Sequence, residues 1–323
     1  MAATQEKTLG GYVKRILRIK EMGIFITLLI IVAVFGIANP VFLSFDNIIN
    51  VLRTTSFILI IGIAMTFVLI SGGLDLSVGS IVALGGVISG LAVQAGIPIP
   101  VSIILGLVTG MAVGVFNGFT IAVFKIPPLI VTLGMMYVIK GVVLIITKGA
   151  PIFPLPEEFN IIGQGELGGI PYVVIIAVIL GIIAHIILTQ TTVGRGIHAV
   201  GGNIETAYLS GIKINRIKML GYILTGAAAA LTGILLSARL ASAQANSGTG
   251  YELLVIAAVI IGGTSLFGGS GTILGTAIGA LFMTVVSNGM VILKVSVYWQ
   301  NLVIGFIIIL AVGIDQLKRR KIT

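Results

Sequence analysis

The chain has no cysteine among its 323 residues, which excludes disulfides and thiol chemistry without fixing a compartment. Histidine is almost as scarce. His185 stands near the end of an apolar run and His198 in a polar one, with no H-E-x-x-H pairing, so each reads as a local hydrogen-bonding residue rather than a metal ligand. Charge is the third deficit: Asp, Glu, Lys and Arg make up 9% of the residues, against roughly 25% in soluble domains. Catalysis inside a membrane needs paired acids, a metal set or a nucleophile with its base, and this composition supplies none of them. The phosphate-binding signature G-x-x-x-x-G-K-[ST] is missing as well. Its nearest mimic, Gly263 to Gly269, has no lysine to reach a phosphate.

What fills the space is apolar. Hydrophobic residues reach 57% and the mean hydropathy is +1.20. No soluble fold of this length hides so much apolar surface, so lipid is the solvent. Spanning ~30 Å of hydrocarbon takes about 20 apolar residues per helix, and the sequence predicts ten such spans, at 22–39, 54–71, 77–95, 100–123, 128–147, 171–189, 218–238, 252–268, 272–292 and 297–314. The short alternating segments of a membrane β-barrel are absent. The expected fold class is therefore all-α, a polytopic helical bundle, with the third and eighth spans candidates for broken or re-entrant helices because glycine-rich turns flank them.

The net charge of +9 sits mostly in loops and tails and reads as topology, not nucleic-acid binding. Lys and Arg are retained on the cytoplasmic side. With the N-terminus inside, Lys7, Lys14, Arg15, Arg18, Lys20, Lys125, Arg195, Lys213, Arg216, Lys218 and Lys318 to Lys321 all fall inside. Only Arg53, Lys140, Lys148, Arg239 and Lys294 fall outside or near outer span ends. Both termini are thus expected in the cytoplasm, and Met22 to Ala38 is too long for a signal-peptide core and reads as an uncleaved first span. The chain divides into a basic cytoplasmic segment (1–21), one transmembrane domain (22–317) and a basic tail (318–323). Within the domain, 149–170 is an acidic, proline-punctuated external connector and 190–217 a polar, basic cytoplasmic loop.

Glycines recur every fourth residue at Gly106, Gly110, Gly114 and Gly118, and again at Gly271, Gly275 and Gly279. Such stripes let another helix backbone lie close. A fainter echo links Ser71–Gly90 with Gly262–Ala280, each a glycine pair, a Leu/Ser turn and a glycine-rich apolar helix; it is the kind of internal similarity transporters often carry.

Ionisable residues at bilayer depth are functional suspects. Asp75, in the turn Gly72 to Ser80, either caps the next helix with Ser77 or touches a solute. Arg239 and Glu252 bracket the 241–251 turn and form either an external gate or a surface pair, and Lys140 is expected to snorkel outward. Neutral polar groups at Asn117, Thr132, Thr284, Ser287, Asn288, Gln300 and Asn301 suit a hydroxyl-rich, uncharged solute or bond helix to helix. Thr284 and Asn288 share a helix face. In the central loop, Gly201-Gly202-Asn203 breaks the chain, Asn203 caps a two-turn helix over 204–210, and Gly211 ends it.

Four blocks in order, SGGLDLSVGS (71–80), VGRGIHAVGGN (193–203), AYLSGIKINRIK (207–218) and SAQANSGTGYELLVIAAVIIGGTSLFGGSGT (242–272), resemble the permease subunits of ATP-binding-cassette importers for ribose, xylose, galactose and related sugars. The resemblance runs from about Phe42 to Asp315. Glu205 to Gly211 is similar to the importer motif Glu-Ala-Ala-x-x-x-Gly, with Thr206 in place of one alanine. The resemblance implies ATPase-coupling roles for Glu205, Ala207 and Gly211, and Arg195, Gly201, Gly202 and Asn203 of the same loop complete the expected coupling set. The expected solute pathway, read from the polar residues of the spans, draws on Asp75, Ser77, Asn117, Thr132, Asn288, Gln300 and Asn301. The partners that the resemblance implies are ATPase subunits, a second permease copy and an extracytoplasmic sugar-binding protein in a bacterial or archaeal cytoplasmic membrane. No cofactor belongs to this chain, ATP and Mg being held by the partner ATPase. Ala245-Asn246-Ser247 stands where Pro-Thr-Ala is common, Leu254 where Asp-Ala is common, and Tyr298-Trp299-Gln300 is closer to galactose-type members, so the sugar stays open. The alternatives are an ion-coupled carrier of a small polar solute and a non-transporting scaffold.

Overall fold

Long apolar runs punctuated by glycine and proline fold into thirteen helices in the computed structural model, which describes residues 22–320. The basic cluster of 1–21 and residues 321–323 lie outside the described residues. Helix α1 (Met22–Ala38) leads through a short 3-10 turn to α2 (Phe45–Ile70), followed by α3 (Val78–Gln94), α4 (Ile99–Ala122) and α5 (Pro128–Thr147). Helix α6 (Glu157–Gln164) and the strands β1 (Glu166–Leu167) and β2 (Ile170–Pro171) precede α7 (Tyr172–Gln190). Then come α8 (Thr192–Gly202), α9 (Ile204–Leu209), α10 (Ile214–Leu240), α11 (Tyr251–Ile261), α12 (Ile273–Ile292) and α13 (Val297–Arg320).

Among the described residues seven helices are long and apolar enough to cross a membrane: α2, α4, α5, α7, α10, α12 and α13. Three shorter apolar helices, α1, α3 and α11, stand at the other expected spans. Two boundaries depart from expectation. Helix α2 starts nine residues early because the Ser44 side chain accepts from Asn47 N–H and caps it, placing the polar turn around Arg53 inside the helix. The eighth span ends at Ile261 because Gly263, at φ 92°, turns the chain; 262–268 is turn, not helix.

Helix α10 is the axis of the bundle, packed against α2, α3, α4 and α6. Helix α2 is also largely enclosed, whereas α5, α7 and α13 show most of their apolar surface outward, as lipid-facing helices do. The glycine stripe of α4 lies on α10 as its spacing predicts. A Cβ on Gly110 would strike the Gly226 carbonyl, and one on Gly226 would strike the Gly110 carbonyl. Gly114 meets Tyr222 and Gly118 meets Met219, so the two helices run antiparallel with backbones in direct contact. The second stripe does the same between α12 and α11, Gly275 against Gly262 and Gly279 against Ala258.

The expected external connector is folded. Its helix α6 buries Phe159, Gly163 sits on the last turn of α10, Ile152 bridges to Ala243, and Glu166 forms an ion pair with Arg53. Leu155 and Ile152 are buried beneath it, which is why apolar residues alternate with the prolines of this stretch. Exposed Glu157 and Glu158 remain on its outer side.

Candidate functional site

Two helices begin inside the bundle. Asp75, just before α3, accepts a hydrogen bond from Thr225 Oγ1 at 3.0 Å. Thr225 lies eleven residues into α10, about 16 Å from its start at 1.5 Å per residue. The non-helical stretch 71–77 therefore re-enters the bundle from the end of α2. Helix α11 has 11 residues and spans about 16 Å, half the hydrocarbon core. It begins beside α3: Gly79 leaves room for the Glu252 carboxylate, which a Cβ there would strike. From this meeting point α3 continues alongside α10 toward Ser237, and α11 toward the opposite end. Two broken spans thus meet N-terminus to N-terminus, the short α11 and the longer, 17-residue α3, as the glycine-rich turns predict for the third and eighth spans. Irregular backbone survives at that depth only inside protein or along a cavity.

Hydrogen bonds close the start of α3. Asp75 Oδ1 accepts from Ser77 N–H at 2.9 Å and Ser77 Oγ at 2.6 Å, and Ser77 Oγ also accepts from Asn117 Nδ2 at 3.0 Å. Asp75, Ser77 and Asn117 are fully buried. Ser77 occupies the cap position without a side-chain cap bond, so Asp75 joins α3, α4 and α10 and does not cap a helix. The structure brings these three candidates together but places none of them on the cavity beside them.

That cavity, about 100 Å³, opens between α3, α5 and the 241–250 segment. Gly79, Ser80, Tyr137, Lys140, Ser247, Thr249 and Glu252 line it. Lys140, expected to point toward the headgroups, is part of this wall. Ser80, Ser247 and Thr249 escaped sequence reasoning because hydroxyl residues carry no distinctive spacing. Arg239 does not pair with Glu252. Its guanidinium donates to Asn50 Oδ1 at 3.0 Å and lies 5.5 Å from the centre of the Phe57 ring. The reason is geometric: Arg239 sits in the last turn of α10, while 241–250 carries Glu252 back into the bundle. The other neutral candidates scatter. Thr132 bonds the Pro128 carbonyl, Asn288 pairs with Asn47 across α12 and α2, Gln300 bonds the Val295 carbonyl, and Asn301 is exposed. Thr284 bonds the Ala280 carbonyl of its own helix.

A second surface forms at the end of the bundle where α2 stops and α10 starts. Asn203 Oδ1 accepts from Thr206 N–H at 2.9 Å and caps α9, and Gly211, at φ 78°, closes it in the left-handed conformation. Ala207 faces inward at 2% exposure, while Ile204, Tyr208 and Leu209 are 48%, 71% and 85% exposed. Six residues pinned at both ends thus present an apolar knob. Gly201 and Gly202, expected to break the chain, are instead the last residues of α8, and the break falls at Asn203. Gly201 is needed for packing, because a Cβ there would collide with the Ile70 carbonyl, the acceptor for Gly269 N–H. His198 Nδ1 lies 3.2 Å from the Gly269 carbonyl and ties α8 to the same turn. The end of α2, the end of α8 and the 262–272 glycine turn therefore meet here. Gly201, Gly202, Asn203 and Glu205 line a cleft of about 350 Å³. Beside it a groove of about 870 Å³ is lined by Lys125, Lys213, Arg216 and Lys218 together with Tyr208 and Gly211. Arg195 is exposed on α8.

The sequence model of the family described as "Branched-chain amino acid transport system / permease component" matches residues 47–312. The ribose import permease protein of Bacillus subtilis is 41% identical over 301 residues, covering 93% of this chain and 94% of that protein. The D-allose transport system permease protein of Escherichia coli is 37% identical over 299 residues, 92% of each chain. The xylose transport system permease protein of Haemophilus influenzae is 33% identical over an alignment of 359 positions, 92% of this chain and 96% of that protein. No solved structure matches the chain.

Proposed function

As this chain belongs to the permease family of the branched-chain amino acid transport system type, we propose that it is the membrane subunit of an ATP-driven importer of small neutral sugars. The relatives are named for ribose, allose or xylose transport, and their similarity extends over more than nine-tenths of this chain. The sugar class follows from them together with the hydroxyl-lined cavity.

The observation that carries the mechanism is α9. A six-residue helix with an exposed apolar face, capped at both ends and flanked by four cations, is a docking element of fixed shape. Its partner is an ATPase subunit with an apolar groove and an acidic rim, which also holds the ATP and Mg. Nucleotide-driven closure of the ATPases moves α9, and α8 transmits the movement through Gly201 to the end of α2 and the 262–272 turn. Those elements adjoin α3 and α11, so the stroke reaches the middle of the bundle. The cytoplasm lies on the α9 side and an extracytoplasmic binding protein docks on the α6 side. A second copy of the permease completes the pathway along the exposed face of α5.

Co-expression with a candidate ABC ATPase subunit and affinity capture from detergent tests this reading. The wild-type chain is expected to hold the ATPase stoichiometrically, and Glu205→Arg or Gly211→Pro to abolish ATP-dependent uptake while membrane insertion persists. Solute flux by the purified chain under an ion gradient, with no ATPase present, would overturn it.

A further inference from the structure

The cavity between α3, α5 and 241–250 holds two opposite charges at bilayer depth, Lys140 on α5 and Glu252 on α11. Among the described residues the one salt bridge is Arg53 with Glu166, so Lys140 and Glu252 stand further apart than ion-pair contact. Neither side chain takes part in a hydrogen bond within the described residues. Charges at this depth are costly unless paired or wetted. Here both face one pocket, whose remaining polar lining is the hydroxyls of Ser80, Ser247, Thr249 and Tyr137.

We propose that this cavity is the solute-binding station of the pathway and takes a neutral polyhydroxylated molecule, a pentose or hexose, held between Glu252 and Lys140. A carboxylate only accepts and an ammonium only donates, whereas each sugar hydroxyl does both. Neighbouring hydroxyls of one sugar can therefore donate to Glu252 and accept from Lys140, bridging a gap that the two residues do not close themselves. The opposite charges cancel, so an uncharged guest leaves the cavity neutral, and an ion of either sign would unbalance it. A zwitterionic amino acid would match the two charges but would set its apolar side chain against hydroxyls. Tyr137, 64% exposed, offers a ring for the apolar face of the sugar. Tyr137 and Lys140 are both exposed on α5, the face that a second copy would cover.

This assignment rests on the importer reading, and one set of measurements separates the two. The complete complex is reconstituted with tritiated D-ribose, D-xylose and D-allose, and with leucine as the zwitterionic probe. Glu252→Gln and Lys140→Met are each expected to cut sugar uptake about ten-fold or more, the loss of a hydrogen bond to a charged group. Lys148→Met, which removes a cation beyond the end of the same helix, keeps uptake within about two-fold, as surface substitutions usually do. Because the chain lacks cysteine, Ser247→Cys supplies a readout independent of transport: sugar is expected to slow its modification by a methanethiosulfonate reagent, and leucine is not. ATP-driven uptake with an unprotected cysteine, or uptake unchanged in both charge variants, overturns the cavity assignment alone. Protection by sugar with uptake that needs no ATP overturns the importer reading and keeps the cavity. Protection by leucine in place of sugar overturns the proposed guest.

Discussion

Asp75 shows how one acid is accommodated away from water. Its two oxygens face three groups, the amide and hydroxyl of Ser77 and the hydroxyl of Thr225. Oδ1 must accept from both Ser77 groups, while Thr225 Oγ1, whose one proton also reaches the Tyr222 carbonyl, can either donate to Oδ2 or accept from it. Asp75→Ala leaves the buried Ser77 amide and hydroxyl without their acceptor, and is expected to destabilise the bundle by about 1–3 kcal/mol. The melting temperature in detergent reads the loss; an unchanged value would mean that the network contributes nothing. The residue itself stands out in the sequence, an acid between glycine pairs within a lipid-length run. Its partners do not, because Thr225 lies 150 positions away and a bond between remote spans leaves no local spacing to read. The same holds for Asn288, which reads as a pathway residue on its own and proves to pair with Asn47.

At the scale of elements, the α4–α10 seam and the α9 knob make separate predictions. Gly226→Val drives a branched side chain into the Gly110 carbonyl. It is expected to cost about 1–3 kcal/mol as overpacking, seen as a lower melting temperature and a smaller yield of folded protein. Leu240→Val, on an exposed position of the same helix, serves as the comparison and leaves both unchanged. Asn203→Ala removes the cap of α9 at a cost of about 1 kcal/mol. The expected outcome is an assembled complex with slower ATP-driven uptake, since the knob persists but no longer holds one shape. Wild-type uptake would mean that α9 does not transmit the stroke. The glycine stripes were legible because a four-residue period needs nothing beyond the helix that carries it. The start of α2 was not, because the signal there is a serine cap ahead of a polar turn and hydropathy passes over both.

For the whole molecule, the decisive feature is that α9 and α6 lie at opposite ends of α10. Gly163 of α6 packs on the last turn of α10, and α9 is joined to its first turn. A cysteine-free chain makes sidedness direct to measure. A membrane-impermeant maleimide added to the cytoplasmic side is expected to modify Tyr208→Cys and to spare Glu158→Cys, with the reverse pattern from the other side. Labelling of both from one side would sink the proposed topology. The overall class, a polytopic helical bundle, follows from composition alone. The cavity does not, because it depends on two breaks, at 71–77 and 241–250, converging from distant parts of the chain.

The bond between Asp75 and Thr225 also constrains how the protein is made. The acid enters the membrane long before the hydroxyl that receives it has been synthesised, and at about 5–20 residues per second the 150 intervening residues take on the order of ten seconds. Throughout that interval a half-finished chain carries a carboxyl with one oxygen still unpartnered and a helix whose docking groove does not yet exist. Biogenesis therefore requires that the insertion machinery shelter the first spans until α10 emerges, and a ribosome stalled before residue 225 should leave α3 cross-linkable to the translocon and not to lipid.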